Sequence, residues 1–169
     1  MLILLVLILI FIQDLKDRSA YLLLFPFLAV LFLTSRLVQH QSIAEILWTI
    51  SINVLFFATQ LLIISIYFSI KNRRWVNITI ELLGWGDILF LLSTTFYLSI
   101  LSFLFFYITS LLGSLLIWLI WQAISKKKTK QIPLAGFQAF LLTIFLSTDW
   151  WVLHLGMTSD NWAFSILNK

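Results

Sequence analysis

The sequence contains no cysteine and few charged residues, and each scarcity excludes a class of function. Without cysteine the chain forms no disulfide, no thiolate metal site and no cysteine nucleophile. The two histidines, His40 and His154, lie far apart with no second ligand at metal spacing, so we expect no metal site. Charged residues make up only 11% of the 169 residues. Any chemistry therefore depends on the few Asp, Glu, His, Lys and Arg side chains and on hydroxyl groups.

Apolar residues dominate the chain. Hydrophobic residues account for 62% of it and the mean hydropathy is +1.05, which lies outside the range of soluble globular proteins. The composition predicts an all-α, polytopic membrane protein with a single domain over residues 1–169. The first run, "MLILLVLILIFIQ", lacks the basic region and cleavage site of a secretory signal, so we expect a retained helix. At about 1.5 Å per residue this run is short for a bilayer core, so the helix should extend past Gln13 or lie in thinned membrane.

Apolar runs separated by polar residues predict six membrane-spanning helices. No charged residue separates the fourth helix from the fifth, because residues 88–125 carry no charge. The boundary between these two helices is therefore predicted from length. One straight helix of that length would reach about 57 Å, so we expect the chain to fold back around residues 93–99. The predicted spans are 1–13, 20–34, 43–70, 80–98, 100–124 and 132–146.

Nine of the 11 basic residues fall on alternate loops, and only Arg36 and Lys169 fall on the other side. Under the positive-inside rule, this bias places the odd-numbered loops in the cytoplasm and the N-terminus outside. Asp14 then ends the first helix and Asp87 begins the fourth helix on the same side of the membrane. Two aspartates far apart in sequence therefore arrive at one membrane depth. The basic residues of the odd-numbered loops are Lys16, Arg18, Lys71, Arg73, Arg74, Lys126, Lys127, Lys128 and Lys130.

The segment "ELLGWGDILFLL" places Asp87 in an apolar run, where an unpaired carboxylate would cost several kcal/mol. Gly84 and Gly86 precede it. Glycine permits close backbone approach and unusual dihedral angles, so an extended peptide or a neighbouring helix could lie beside the carboxylate. The structural alternative for Asp87 is a hydrogen bond between helices or a salt bridge, for example to Arg73 or Arg74.

Three segments together resemble the prepilin peptidase family, which belongs to the GxGD class of intramembrane aspartyl proteases and includes the archaeal preflagellin peptidases. They are "QDLKDRSAY" after the first helix, "GWGD" opening the fourth and "IPLAGFQAF" opening the sixth. Their order and spacing and the count of six helices match together over most of the chain. The resemblance implies a bundle of the GxGD protease type in the cell membrane. It also implies an endopeptidase that cleaves the leaders of prepilin-like substrates at the cytoplasmic face, in type IV pilus assembly or secretion.

By this resemblance, the catalytic residues are Asp14 and Asp87, and Gly84 and Gly86 let the substrate backbone lie alongside. Two carboxylates at close range in a low dielectric cannot both ionise cheaply, so the pair should hold one proton. The ionised member would take a proton from the attacking water, and the protonated member would donate to the scissile carbonyl oxygen. Asp17 competes with Asp14 for its role, although a solvated loop carboxylate is its simpler interpretation. We expect Glu81, Asp149 and Asp160 to lie outside the pair.

Some positions differ from the family pattern. The family usually has an Ile-Pro pair after the first aspartate, where this chain reads "SAY", and a lysine where this chain has Leu89. The chain also lacks the cysteine-containing domain that accompanies methylation, so we expect no methyltransferase domain.

Three alternatives therefore stay open. The first is an inactive relative that binds leader segments or assembles a secretion apparatus. The second is a small transporter component in which the two aspartates bind a proton or cation. The third is a presenilin-like or signal-peptide-peptidase-like enzyme, although such enzymes carry a Pro-Ala-Leu motif that "IPLAGF" does not reproduce. The expected partners are membrane lipid and a peptide with a hydrophobic leader segment, with no nucleic acid and no cofactor.

Overall fold

A computed structural model describes residues 1–17, 21–73, 84–124, 134–153, 156–160 and 162 of the chain. Within these residues the fold is entirely helical, with six α-helices and no strand, which confirms the predicted all-α class. A π-helical turn, Asp149–Leu153, directly continues the last helix. The helices are α1 (Leu2–Asp17), α2 (Leu24–Val38), α3 (Ile43–Asn72), α4 (Trp85–Thr94), α5 (Ile100–Ile124) and α6 (Leu134–Thr148).

Two predicted boundaries are confirmed. Helix α1 continues past Gln13 to Asp17, which is one of the two outcomes expected from its short apolar run. Helix α4 ends at Thr94 and α5 begins at Ile100, so the uncharged stretch folds back where its length predicted. The break is stabilised by a segment from the end of the chain, because the Ser99 amide donates to the Met157 carbonyl over 3.0 Å.

Helix α6 lies at the centre of the packing. It contacts α1 most extensively and also packs against α5 and α4, while α2 lies against α4. Buried apolar side chains from these helices form one core, with Leu7, Ile10, Phe90 and Leu142 all fully or almost fully buried. The arrangement brings the C-terminal end of α1, the N-terminal end of α4 and the N-terminal end of α6 together.

Helix α3 is attached to the bundle more loosely. It is the longest helix and contacts mainly α5. One polar contact supplements the apolar packing, since the buried Asn53 amide donates to the Leu98 carbonyl over 3.0 Å. This bond satisfies a carbonyl that the break between α4 and α5 leaves without a helical partner.

Two described helices are long and apolar enough to cross a bilayer by length and composition. They are Ile43–Asn72, which is α3, and Ile100–Ile117 within α5. Leu24–Val38 and Trp85–Thr94 are apolar but shorter. These lengths indicate that the protein associates with a membrane.

Candidate active site

The two aspartates that the sequence singled out meet at the N-terminus of α6. The Gly136 amide donates to Asp14 Oδ2 over 2.6 Å, and the Ala135 amide donates to Asp87 Oδ1 over 2.8 Å. Because the two donors are consecutive residues of one helical turn, the two carboxylates lie side by side. The structure thus brings together residues that the sequence placed only at the same depth.

The first turn of a helix is well suited to binding carboxylates. Its amide groups have no partner within the helix, and the aligned peptide dipoles give that end a partial positive charge. Ala135 and Gly136 lie in the first turn of α6, whose Leu134 is the first helical residue. A carboxylate at such a position is stabilised by roughly 0.3–1 kcal/mol, and by up to about 2 kcal/mol when partly buried. Helix α6 therefore offsets part of the repulsion between the two acids.

Gly136 must be a glycine for this geometry to form. A Cβ atom at this position would lie 2.9 Å from Asp14 Oδ2 and 3.0 Å from Asp14 Cβ. The Asp14 side chain is buried, with 7% of its surface exposed, and has little space in which to retreat. The absent side chain is what lets α1 and α6 approach closely enough for the hydrogen bond.

Asp87 connects two helices through its two oxygens. It is the third residue of α4, and its Oδ2 accepts from the Gly84 amide, which caps that helix, over 3.2 Å. Its Oδ1 accepts from Ala135 on α6. A carboxylate in the first turn commonly stabilises the start of a helix by accepting a hydrogen bond from the amide of the residue before the helix. The same side chain therefore fixes the start of α4 and reaches the first turn of α6, where Asp14 is also bound.

The two glycines of the GWGD motif show a simpler geometry than the sequence predicted. Gly84 has φ −67° and ψ 151°, a conformation open to any residue, so unusual dihedral angles are not their reason. Gly84 is exposed beside the carboxylate, while Gly86 faces the ring of Phe25 on α2, where an added Cβ would make ordinary contact at 3.7 Å. Gly86 therefore packs against α2 at a distance that a larger side chain would also allow, and substrate positioning by Gly84 and Gly86 stays a prediction.

The remaining candidates near the site are placed only in part. Asp17 is the last residue of α1, but its side chain lies outside the described part of the chain, as do Arg74 and Glu81. Arg73 ends α3 in a left-handed conformation, and Asp87 forms no ion pair among the residues described. Leu89, where the resemblance predicts a lysine, packs against the apolar core.

Asp149 and Asp160 lie at the opposite end of the bundle. The Gly156 amide donates to Asp149 Oδ1 over 3.0 Å, and the Met157 amide donates to its Oδ2 over 3.4 Å. Asp160 Oδ1 accepts from the Leu101 amide over 3.1 Å and so caps the start of α5. Both acids anchor the segment 156–160 through these hydrogen bonds. This structural role explains their presence without assigning them to the pair formed by Asp14 and Asp87.

The amides of Ala135 and Gly136 are the part of the site that residue-by-residue reasoning missed. The segment "IPLAGFQAF" was recognised by resemblance, but its contribution consists of backbone donors, which no side-chain pattern reveals. The one available signal was a glycine four residues after the predicted start of an apolar helix. Such a glycine indicates that another group approaches the backbone closely.

A comparison with known protein families, with curated proteins and with solved structures found no match to this chain. Within the described residues, no three His, Asp or Glu side chains are placed to hold a metal ion. The candidate site is therefore defined by its own geometry: two carboxylates on different helices, held by consecutive amides of a third.

Proposed function

We propose that this protein is a membrane-embedded aspartic endopeptidase of the prepilin peptidase type. One observation carries the proposal: Asp14 and Asp87, 73 positions apart, accept hydrogen bonds from the adjacent amides of Gly136 and Ala135. A solvated loop acid or an isolated interhelical hydrogen bond would not require a second aspartate at the same helix terminus. Two adjacent carboxylates are the machinery that aspartic proteases use to activate water.

The free positions on the carboxylates suit this chemistry. Asp14 uses Oδ2 for Gly136, and its Oδ1 forms no hydrogen bond with a described residue. That oxygen can bind the attacking water. Asp87 is only partly buried and lies beside the exposed Gly84, so a substrate can approach from its side. With one proton shared by the pair, one carboxylate takes a proton from water and the other protonates the scissile carbonyl.

The outer surface of the bundle favours contact with lipid on α1, α2 and α6 as well as on the two long helices. Exposed side chains are apolar on the short helices as well as on α3 and α5, including Leu5 and Leu9 on α1, Phe27 on α2 and Ile144 on α6. Soluble monomers seldom expose such continuous apolar surface. With the N-terminus outside, as the basic loops favour, the aspartate pair faces the cytoplasm.

The position of the pair indicates the kind of substrate. Both carboxylates lie at helix ends rather than in the middle of a helix, and so at one boundary of the apolar core. A peptide bond just outside an apolar segment would arrive at this depth. A leader peptide with a basic stretch before an apolar helix matches both the depth and the orientation.

The test uses purified protein in lipid nanodiscs with leader peptides that carry a basic stretch before an apolar helix. We expect the wild type to cleave, and Asp14→Asn and Asp87→Asn each to lower the rate at least about a thousandfold, because the two groups act as a unit. Asp17→Asn is the matched control, since it makes the same change one helical turn away and should retain activity.

Two outcomes would contradict the proposal. Activity that survives in Asp14→Asn but disappears in Asp17→Asn would move the first catalytic role to Asp17. A wild type that binds leader peptides but cuts none across a broad panel would favour the inactive binding protein, for which Leu89 and "SAY" in place of the family's residues are the supporting features.

A further inference from the structure

Two buried polar atoms between α5 and α6 have no hydrogen-bond partner among the described residues. They are Ser114 Oγ and Gln138 Oε1, and both side chains are fully buried. Only one other buried side-chain atom in the described part of the chain, Nη1 of Arg36, shares this property. Because buried polar groups in proteins almost always have partners, each of the two atoms needs an explanation.

The neighbouring hydroxyl groups behave differently. Thr109 and Ser110 on α5 and Thr143 on α6 each donate to a carbonyl of the preceding turn, over 2.7, 3.1 and 2.8 Å. Such a bond to its own helix would satisfy Ser114 as well, yet Ser114 does not form it. Gln138 reaches only Ser110, through its Nε2, at 3.5 Å. Reversing the Gln138 amide would merely exchange which of its two polar atoms is unpaired.

The two atoms lie close to the catalytic end of the bundle. Gln138 is three residues beyond Ala135, so it lies about one helical turn deeper on the same side of α6. Helices α5 and α6 are antiparallel, and the contact between Ser110 and Gln138 sets their register. Ser114 lies one turn further along α5, and its neighbour Gly113 lies against Leu141, so Ser114 is level with the N-terminal half of α6, whose first turn holds Asp87 through Ala135.

We propose that Ser114 and Gln138 hold a buried water molecule between α5 and α6, which serves as the reserve of hydrolytic water for the aspartate pair. A water can donate to Gln138 Oε1 and bond the Ser114 hydroxyl, so it satisfies both atoms at once. Buried waters typically make about three hydrogen bonds to such groups. The water site itself stands on the unpaired atoms, whereas its role as a reserve rests on the proposed peptidase function.

The first test detects the water without substrate. Protein in nanodiscs is exposed to a brief X-ray pulse that converts bound water to hydroxyl radicals, and oxidation of Leu141 is measured by mass spectrometry. Leu141 is the probe because it lies against Gly113, the neighbour of Ser114. We expect oxidation of Leu141 in the wild type and its loss in Ser114→Ala and in Gln138→Leu. The matched control is Thr143→Val, which removes a hydroxyl already satisfied within α6 and should leave the oxidation unchanged.

The second test measures cleavage by the same variants. Losing the water reserve should lower kcat about tenfold, the equivalent of one hydrogen bond, with KM unchanged. Equal oxidation of Leu141 in the wild type and in both variants would overturn the water site. Loss of oxidation with unchanged kcat would overturn its role as a reserve. If the wild type cleaves nothing, the oxidation result still decides the water site, so the two proposals fail separately. Ser114→Ala, the smaller change, decides the matter if Gln138→Leu does not fold.

Discussion

At Gly136, the backbone of α6 comes so close to Asp14 that a hydrogen atom is the largest side chain the contact admits. The resemblance to a family pointed to this segment, but only the structure shows that its glycine and the preceding alanine donate amides to the two aspartates. At the scale of single residues, the site therefore consists of two predicted acids and two unpredicted backbone donors.

Gly136→Ala should displace the Asp14 carboxylate. The new Cβ would lie 2.9 Å from Oδ2, so α1 and α6 must separate or the side chain must turn away. A displacement of about 1 Å at a catalytic group can cost on the order of a hundredfold in rate, and we expect a loss of kcat of that size in the nanodisc cleavage assay.

Gly113→Ala is the matched control for this change. Its added Cβ would approach another group as closely, at 3.0 Å, but that group is the flexible end of Leu141. We expect its kcat to stay near the wild-type value. Equal losses in the two variants would show that a general loosening of packing around α6, rather than displacement of Asp14, causes the effect.

The bond between Gly84 and Asp87 can be removed with little other change. Proline has no amide hydrogen, and its fixed φ of about −65° matches the −67° of Gly84. Gly84→Pro should therefore lower kcat about tenfold or more through loss of a hydrogen bond to a charged group, while Gly84→Ala, which keeps the amide, should not.

Cleavage kinetics of the two Gly84 variants also separate two roles for this residue. If Gly84 positions the substrate backbone, as the motif predicts, Gly84→Ala should raise KM without lowering kcat. A fall in kcat to the same level in both variants would refute the view that the amide orients Asp87.

At the scale of helices, apolar runs predicted where helical segments lie but not all of their ends. Helix α2 extends to Val38, where the prediction ended at 34, and α4 covers only Trp85–Thr94 of the predicted 80–98. The fold-back between α4 and α5 followed from the length of an uncharged stretch, and the extension of α1 was one of two outcomes expected from the shortness of its apolar run. The pairing of helices could not be predicted in this way. Nearly uniform apolar faces give each helix many acceptable neighbours, and the choice of α6 as the neighbour of both α1 and α4 depends on packing across the whole bundle.

The attachment of α3 gives a test at this scale. Asn53→Leu would leave the buried Leu98 carbonyl without its donor, which should destabilise the protein by roughly 1–3 kcal/mol. We expect a lower midpoint of thermal unfolding in detergent. Thr59→Val on the same helix is the control, because that hydroxyl is exposed and donates only to the Leu55 carbonyl within α3. A midpoint unchanged by Asn53→Leu would mean that apolar contacts alone hold α3.

For the whole molecule, the absence of cysteine allows the proposed topology to be tested directly. Single cysteines introduced as Ala44→Cys and Asn72→Cys occupy exposed positions at opposite ends of α3. With the N-terminus outside, a membrane-impermeant maleimide added to intact cells should label the first variant and should label the second only after lysis. The reverse pattern would invert the orientation and place the aspartate pair on the outer face.

The sequence by itself determined the helical class, the lengths of the apolar segments and the two acids that lie at one depth. These properties depend on composition, on the rise of a helix and on the cost of burying charge, all of which act locally along the chain. Only the tertiary structure decided that Asp14 and Asp87 meet on the consecutive amides of Ala135 and Gly136. That outcome depends on which helices pack together and on the space left by one missing side chain, and neither is encoded in any single segment.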